Sequence, residues 1–372
     1  MKIIYYVHGT TYDNASKKCS GWKQVELNEL GKEQAVNLGK NTPYKFDVLF
    51  TSDLVRAKES AKLAFSSFKT IEDSRLRECN YGDYDGEDKK LVVYEDHIDE
   101  PFPNGESLKD VEKRVRDFLK DILKKYPDKT IGIIAHRAPQ LAIEVITKNI
   151  TWEEANKGDW RKTGDWMPGW VYNYDPELES FIEFKKNYKF KQKEIIESNG
   201  KLYCDGLLLE DENNHIEITD KWIDVGYKYH EPLSKLLSNL FHYEFEFRGY
   251  KLNSIESFFQ GIKFKDIDLQ KEVFKYYGLP AVLLKETSDY DWKKSGYIYF
   301  EGKKIKRDSK EYDLLVTELY VSAVKNPFFR NAIKKCDLPI IHSMGKTDKK
   351  ETVFTRYEYE FMLNCLHDYL NK

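Results

Sequence analysis

Two apolar runs in this chain each end on a histidine. Lys2-Ile3-Ile4-Tyr5-Tyr6-Val7 is closed by His8, and Thr130-Ile131-Gly132-Ile133-Ile134-Ala135 is closed by His136. Short, uninterrupted runs of this composition read as strands buried on both faces. In open α/β sheets the ligand sits in the crevice beyond the carboxyl ends of the strands. Two strands would therefore deliver two imidazoles to one crevice, an arrangement suited to nucleophilic chemistry at phosphorus.

A chain of 372 residues is too long for one ordinary core and predicts about two domains. With 41% apolar and 15% aromatic residues it can bury real cores, which excludes global disorder. A net charge of −3 argues against a chain built to hold nucleic acid electrostatically. The five cysteines (Cys19, Cys79, Cys204, Cys336, Cys365) are widely spaced with no CxxC, a pattern of reduced thiols rather than disulfides or zinc ligands. The first apolar run is too short for a signal peptide, and no run approaches the ~20 residues of a membrane span. These features predict a cytoplasmic protein with no membrane partner. No cluster has metal-ligand spacing, and neither a metal nor another cofactor is expected.

Strand-like and helix-like segments alternate through residues 1–170, with helical stretches at Leu27–Leu38 (Gly39 as its stop), Leu54–Phe65, Leu108–Ile122 and Gln140–Thr147. Ser52 and Asp53 are candidate caps for the second of these, and Lys45–Phe50 reads as a buried strand. This alternation predicts an α/β domain with a mixed or parallel sheet flanked by helices. A charged, lysine-rich stretch follows the tryptophans Trp152, Trp160, Trp166 and Trp170. The expected organisation is a first domain over 1–175, a charged linker over 176–200 and a second domain over 201–372. The second domain reads as α+β and helix-rich, with short strands at Tyr203–Leu209 and Ile216–Val225. Its helices are expected at Ser254–Phe264, Leu269–Tyr277, Tyr312–Lys325 and Tyr357–Leu370.

In the first domain, His8-Gly9-Thr10, Ser52-Asp53-Leu54-Val55-Arg56-Ala57, Leu76-Arg77-Glu78, Pro103-Asn104-Gly105-Glu106-Ser107 and Ala135-His136 occur in that order. Together they resemble the histidine phosphatase superfamily, which includes the cofactor-dependent phosphoglycerate mutases. The resemblance implies His8 as nucleophile, Arg56 and His136 as phosphate ligands, and Glu78 as the acid that protonates the leaving oxygen and then activates water. The chemistry is coherent. A neutral imidazole attacks phosphorus, and the dianionic group needs cationic and hydrogen-bonding partners that strengthen in the transition state. One residue departs from the pattern: Val7 stands where the family has arginine before the nucleophile. Arg75, Arg77, Arg137 and Lys18 are the candidates to compensate. Two readings stay open, a working phosphatase and a phosphate-binding module without turnover. Asp13, Asn14 and Lys17 lie in the loop after His8, Asn80–Gly86 reads as a turn, and His97 as a surface residue. The tryptophans read either as a wall over the site or as packing against the sheet.

The second domain carries Leu237-Ser238-Asn239-Leu240, then Tyr243–Phe247, Arg248-Gly249-Tyr250 and Ser254–Phe264. This resembles the NADAR (NAD and ADP-ribose) superfamily across about residues 228–370, chiefly 236–264. Glu256, Gln260 and Lys263 fall at helical spacings of four and three and share one face. A carboxylate, an amide and an ammonium there can bind a ribose, position water and assist cleavage of an N-glycosidic bond. The resemblance implies Glu256 as the catalytic carboxylate and Asn239, Gln260, Lys263, His342 and Asp348 around the substrate. Arg307 is a further candidate phosphate contact. The segment near the C-terminus lacks the family's tryptophan and glycine pattern, which leaves the substrate open.

The combined expectation is a hydrolase of nucleotide metabolism, a phosphohistidine-dependent phosphomonoesterase fused to an N-glycosidase for an N-riboside or ADP-ribosyl compound. Its expected partner is a small phosphorylated nucleotide or an ADP-ribose-like molecule. Two alternatives accompany it: an inactive first domain that regulates the glycosidase, and an ADP-ribosyl-guanine hydrolase acting on nucleic acid.

Overall fold

The computed structural model describes residues 1–127, 129–162, 169–211, 214–226, 228–278, 280 and 292–372. The chain divides into two compact units, Met1–Glu179 and Ser180–Lys372.

The first unit is built on a five-stranded sheet of β1 (Lys2–Val7), β2 (Val48–Thr51), β3 (Ile71–Glu72), β4 (Ile131–Ala135) and β5 (Trp170–Asn173), in the order β3-β2-β4-β1-β5. β1, β2, β3 and β4 pair in parallel, and β5 runs antiparallel to β1, so the sheet is mixed. Alternation along β1 explains why the run is apolar throughout. Ile3 and Tyr5 enter one core with Leu108, Val111, Val115 and Phe118, whereas Ile4 and Tyr6 enter the other with Leu38, Leu49, Ala61 and Phe65. One face is thus covered by the helix Leu108–Lys125 and the other by the helices Glu29–Asn41 and Val55–Ala64. Leu108–Lys125 buries the apolar stripe its periodicity predicts, and Ser107 with Asp110 closes its start as a capping box.

Three details differ from expectation. Gly39 does not stop its helix, which runs on to Asn41; a Cβ at Gly39 would lie 2.0 Å from the Ala64 carbonyl oxygen, so glycine here serves close helix packing. Asp53 does not cap the helix at Val55, because its carboxylate is taken by Arg77 (2.7 Å), while Ser52 Oγ accepts from the Leu54 amide (3.2 Å). Nor is 176–200 a bare linker. It holds the helix Pro176–Asn187 and β6 (Ile195–Ser198), since Leu178, Phe181 and Ile182 give even this charged stretch an apolar side to bury.

In the second unit β6, β7 (Lys201–Cys204), β8 (Leu207–Asp211) and β9 (Asn214–His215) form an antiparallel meander. β10 (Ile223–Asp224) pairs in parallel with β15 (Ile340–Ile341). Two hairpins, β11 (Phe245–Phe247) with β12 (Tyr250–Leu252) and β13 (Tyr297–Phe300) with β14 (Lys303–Lys306), complete its strands. Helices span Ile255–Gly261, Ile267–Val273, Lys310–Ala323, Pro327–Lys334 and Arg356–Leu370. Phe258 is the hub of an aromatic cluster, its ring 5.2 Å from Phe247, 5.8 Å from Phe274 and 5.3 Å from Phe300. All five cysteines are buried and free. Among the described residues no helix is long and apolar enough to cross a membrane.

Candidate active site

Strand register brings the two histidines together. Val7 pairs with Ala135 across the parallel β1–β4 ladder, so His8 and His136 leave neighbouring strands at the same level. The His8 amide donates to the Ala135 carbonyl (3.1 Å), and the two rings lie 5.0 Å apart. The buried Tyr5 hydroxyl braces the second strand end: it donates to the His136 carbonyl (2.7 Å) and accepts from the His136 amide (3.0 Å). Gly9 meets the opposing helix so closely that a Cβ there would lie 2.3 Å from the Gly31 carbonyl oxygen.

The partners of His8 define its tautomer. Nδ1 sits 2.7 Å from the Gly9 carbonyl, which can only accept, so Nδ1 carries the proton. Nε2 then carries the lone pair and accepts from Arg56 Nε (3.3 Å). Burial, reinforced by the Arg56 charge, lowers the pKa of His8 to about 3, so the imidazole is neutral at physiological pH. Arg56 is itself buried, donating to the Lys23 carbonyl (2.9 Å) and the Gly21 carbonyl (2.7 Å). Gly21 presents that carbonyl from a left-handed conformation (φ +46°) beside Asp85, where a Cβ would overlap the carboxylate. His136 is fully buried, and its proton affinity is driven well down by burial and then by Arg56 and His8. Among the described residues neither of its ring nitrogens has a hydrogen-bond partner. It stands against His8 and is not part of the cavity wall.

Glu78 lies across the amino end of the helix Arg137–Lys148. Its carboxylate accepts from the amides of Cys79 (2.9 Å), Arg137 (3.2 Å) and Ala138 (2.9 Å). Arg114, from the helix Leu108–Lys125, holds the segment in place by donating to the carbonyls of Arg75, Arg77 and Glu78 at 2.6, 2.8 and 2.9 Å. His8, Arg56 and Glu78 line one cavity of about 480 Å³, which also takes Asn14, Lys18, Arg137, Trp160, Arg161 and Trp170 into its wall.

Of the residues expected to replace the arginine missing at position 7, Arg75 and Arg77 are spent on Asp73, Asp121 and Asp53 and do not line the cavity. Arg137 reaches the wall, yet Asp159 (2.6 Å) and Asn156 (3.0 Å) hold its guanidinium beneath the Tyr94 ring (4.1 Å). Lys18 is exposed at the rim. Arg161 was not among the expected residues, because no motif marks it and only the fold brings it here. Trp160 and Trp170 form wall, Trp152 is core, and Trp166 lies outside the described residues. His97 stacks on Phe102 (3.8 Å) away from the cavity.

A second cavity of about 480 Å³ lies within the second unit, lined by Asn239, Glu256, Gln260, Lys263 and His342. Gln260 donates to Glu256 (2.5 Å) and accepts from Lys263 (2.7 Å), so the shared helical face carries a continuous relay. Phe259 stacks on Phe354 at 4.7 Å beside it. Asn239 Oδ1 accepts from Tyr320 (2.7 Å), and His342 Nδ1 meets the Val225 carbonyl (2.8 Å). Two expectations fail. Asp348 is exposed, caps the Lys350 amide (2.8 Å) and does not line the cavity. Arg307 is buried in a two-pronged ion pair with Glu358 (2.9 and 2.6 Å), which leaves it no phosphate to hold. Missed at the rim was His215, whose Nε2 lies 2.9 Å from the buried Asp224; Asp224 also takes the Ser343 amide (2.9 Å) and the Tyr229 hydroxyl (3.2 Å). No motif announces this group, which forms only when β10 pairs with β15.

Residues 4–150 match the family described as Histidine phosphatase superfamily (branch 1), and residues 232–368 match Bacteriophage protein GP30.3. A 2,3-bisphosphoglycerate-dependent phosphoglycerate mutase of Rhizobium meliloti is 32% identical over 175 residues, covering 42% of this chain and 83% of that protein. The uncharacterized phosphatase PhoE of Bacillus subtilis is 32% identical over 136 residues, covering 35% and 69%. Among solved structures, a mycobacterial glucosyl-3-phosphoglycerate phosphatase in complex with VO3 is 24% identical over 42% of this chain and 84% of its own, with a TM-score of 0.38. The match over the second unit bears a different name from the NADAR superfamily that its residues resemble, so the glycosidase expectation rests on those residues alone.

Proposed function

Because this chain belongs, through its N-terminal half, to the histidine phosphatase superfamily, we propose that the first cavity hydrolyses a phosphate monoester through phospho-His8. The observation that carries this reading is the His8 tautomer, with the proton pinned on Nδ1 and an unprotonated Nε2 turned toward Arg56. Nε2 attacks phosphorus as the P–O bond to the leaving group breaks. Glu78 gives that oxygen a proton, and afterwards takes one from the water that attacks the phosphohistidine. Arg56 meets the equatorial charge, and the single N–H of neutral His136, unpartnered among the described residues, suits an anion seated against His8. The test is inorganic phosphate release from a panel of phosphate monoesters, with acid-sensitive labelling of the protein. His8→Ala should lose both the release and the label; release that persists in this variant ends the reading. Val7 favours the alternative, a phosphate-binding module without turnover, which predicts stoichiometric binding of a phosphorylated ligand and no release.

For the second cavity we propose an N-glycosidase acting on a ribosyl or ADP-ribosyl compound. The Glu256–Gln260–Lys263 relay supports it, with a carboxylate for the developing oxocarbenium charge and two groups for ribose and phosphate oxygens. The stacked Phe259 and Phe354 offer an apolar surface for a base. Release of free base from NAD, ADP-ribose and ADP-ribosylated guanine nucleotides is the assay, and a Glu256→Gln variant as fast as the parent sinks the idea. Both products from one compound would join the two activities.

A further inference from the structure

We propose that Arg161 supplies the phosphate-gripping cation that Val7 leaves missing, an inference that rests on the phosphatase reading of the first cavity. Position 7 ends β1 beside the nucleophile and carries an isopropyl group. Arg161 comes from elsewhere, a helical turn at Trp160–Lys162 that follows the helix Trp152–Lys157.

Three observations converge on it. Arg161 lines the same cavity as His8, Arg56 and Glu78. Its guanidinium lies over the Trp160 ring (4.8 Å) and Nη1 donates to Asp159 (2.9 Å), while Nη2 is buried with no hydrogen-bond partner among the described residues. A buried charged donor without an acceptor is costly, and a phosphoryl oxygen would satisfy it. Charge counting points the same way. The fully buried Asp159 carboxylate is shared between Arg161 and Arg137, which it meets at 2.6 Å. One negative charge against two guanidiniums leaves one positive charge over. Arg137 gives Nη2 to Asn156 and lays its face on Tyr94, which holds it to the wall, so the surplus charge is presented at Arg161. Asp159 thereby aims a cation at the cavity without neutralising it.

Orthovanadate binding by calorimetry and phosphate-monoester turnover, both on the full chain, test the inference together. Arg161→Ala should weaken vanadate and lower kcat/KM by about 10²-fold, on the scale of a removed oxyanion partner. Arg161→Lys should fall between that variant and the parent. Val7→Arg added to Arg161→Ala should recover about tenfold, because it returns a guanidinium from the other side. Arg161→Gln, which keeps a donor for Asp159, carries the same test where the alanine variant fails to fold. An Arg161 variant that binds vanadate and turns over within twofold of the parent overturns the inference and leaves the phosphatase reading standing. A parent that binds vanadate but releases no phosphate overturns the phosphatase reading alone, with Arg161 then judged on vanadate affinity. A parent that does neither overturns both.

Discussion

The site around the first cavity lowers the proton affinity of its histidines, whereas the second cavity raises that of one. His136 is buried and His8 half-buried, with Arg56 beside them, and among the described residues no carboxylate bonds either ring; both proton affinities fall, His8 to about 3. His215 also loses affinity through burial, but its hydrogen bond to Asp224 and that residue's charge outweigh the loss, and the net shift is upward. The same side chain is thus made harder to protonate in one place and easier in another by the sign of its nearest ionic neighbour. In the mechanism proposed for the first cavity, a neutral His8 ring is what the attack on phosphorus requires. Only a bare ring nitrogen attacks phosphorus.

The largest effect should come from removing that nitrogen. His8→Ala is expected to lower phosphate release by at least ~10³-fold while leaving base release from the second cavity untouched, and phosphate and base followed in one time course would check it. Glu256→Gln should do the converse, lowering base release ~10²-fold with phosphate release unchanged; a variant that lowers both would break the independence of the two sites. Tyr5→Phe removes the hydroxyl that serves both the amide and the carbonyl of His136. The loss should be about 1–3 kcal/mol of stability, the cost of leaving buried backbone groups unpaired, read from the urea midpoint.

The contrast also predicts opposite acid and alkaline behaviour. The folded pKa of His8 lies below its unfolded value of 6.5. Between pH 6.5 and about 3 the unfolded chain therefore binds more protons, and stability falls as pH falls, by about 1.4 kcal/mol per pH unit for each such group. His8→Asn should flatten this acid limb. His215 has a raised folded pKa, so its contribution is complete below 6.5 and fades as pH rises through the folded value. His215→Asn should flatten the alkaline side. Identical slopes in both variants would erase the distinction.

Much of the first site was legible because its residues follow from short-range rules. Strand periodicity placed His8 and His136 at parallel strand ends, and motif order picked out Arg56 and Glu78. What escaped depends on contacts between distant segments. Asp159 and Arg161 become site residues only because the chain beyond β4 returns to the sheet edge, and nothing local distinguishes that arginine from a solvated one. In the second unit, helical spacing alone put Glu256, Gln260 and Lys263 on one side, and all three line the cavity. Asp348 and Arg307 failed for the opposite reason. A polar residue in a loop or near a strand can be claimed by a local amide or a distant carboxylate, and sequence does not say which.

The bond from the Tyr5 hydroxyl to both backbone groups of His136 ties chemistry to strand alignment. Side chains alternate along β1, so a slip of one residue against β4 would turn Tyr5 to the opposite face and leave His136 unbraced. A misaligned sheet would still bury apolar residues on both sides, since Ile3, Ile4, Tyr5 and Tyr6 are all acceptable to either core. The hydroxyl therefore acts as a proofreader of register, penalising a topologically similar misfold that hydrophobic burial alone would tolerate.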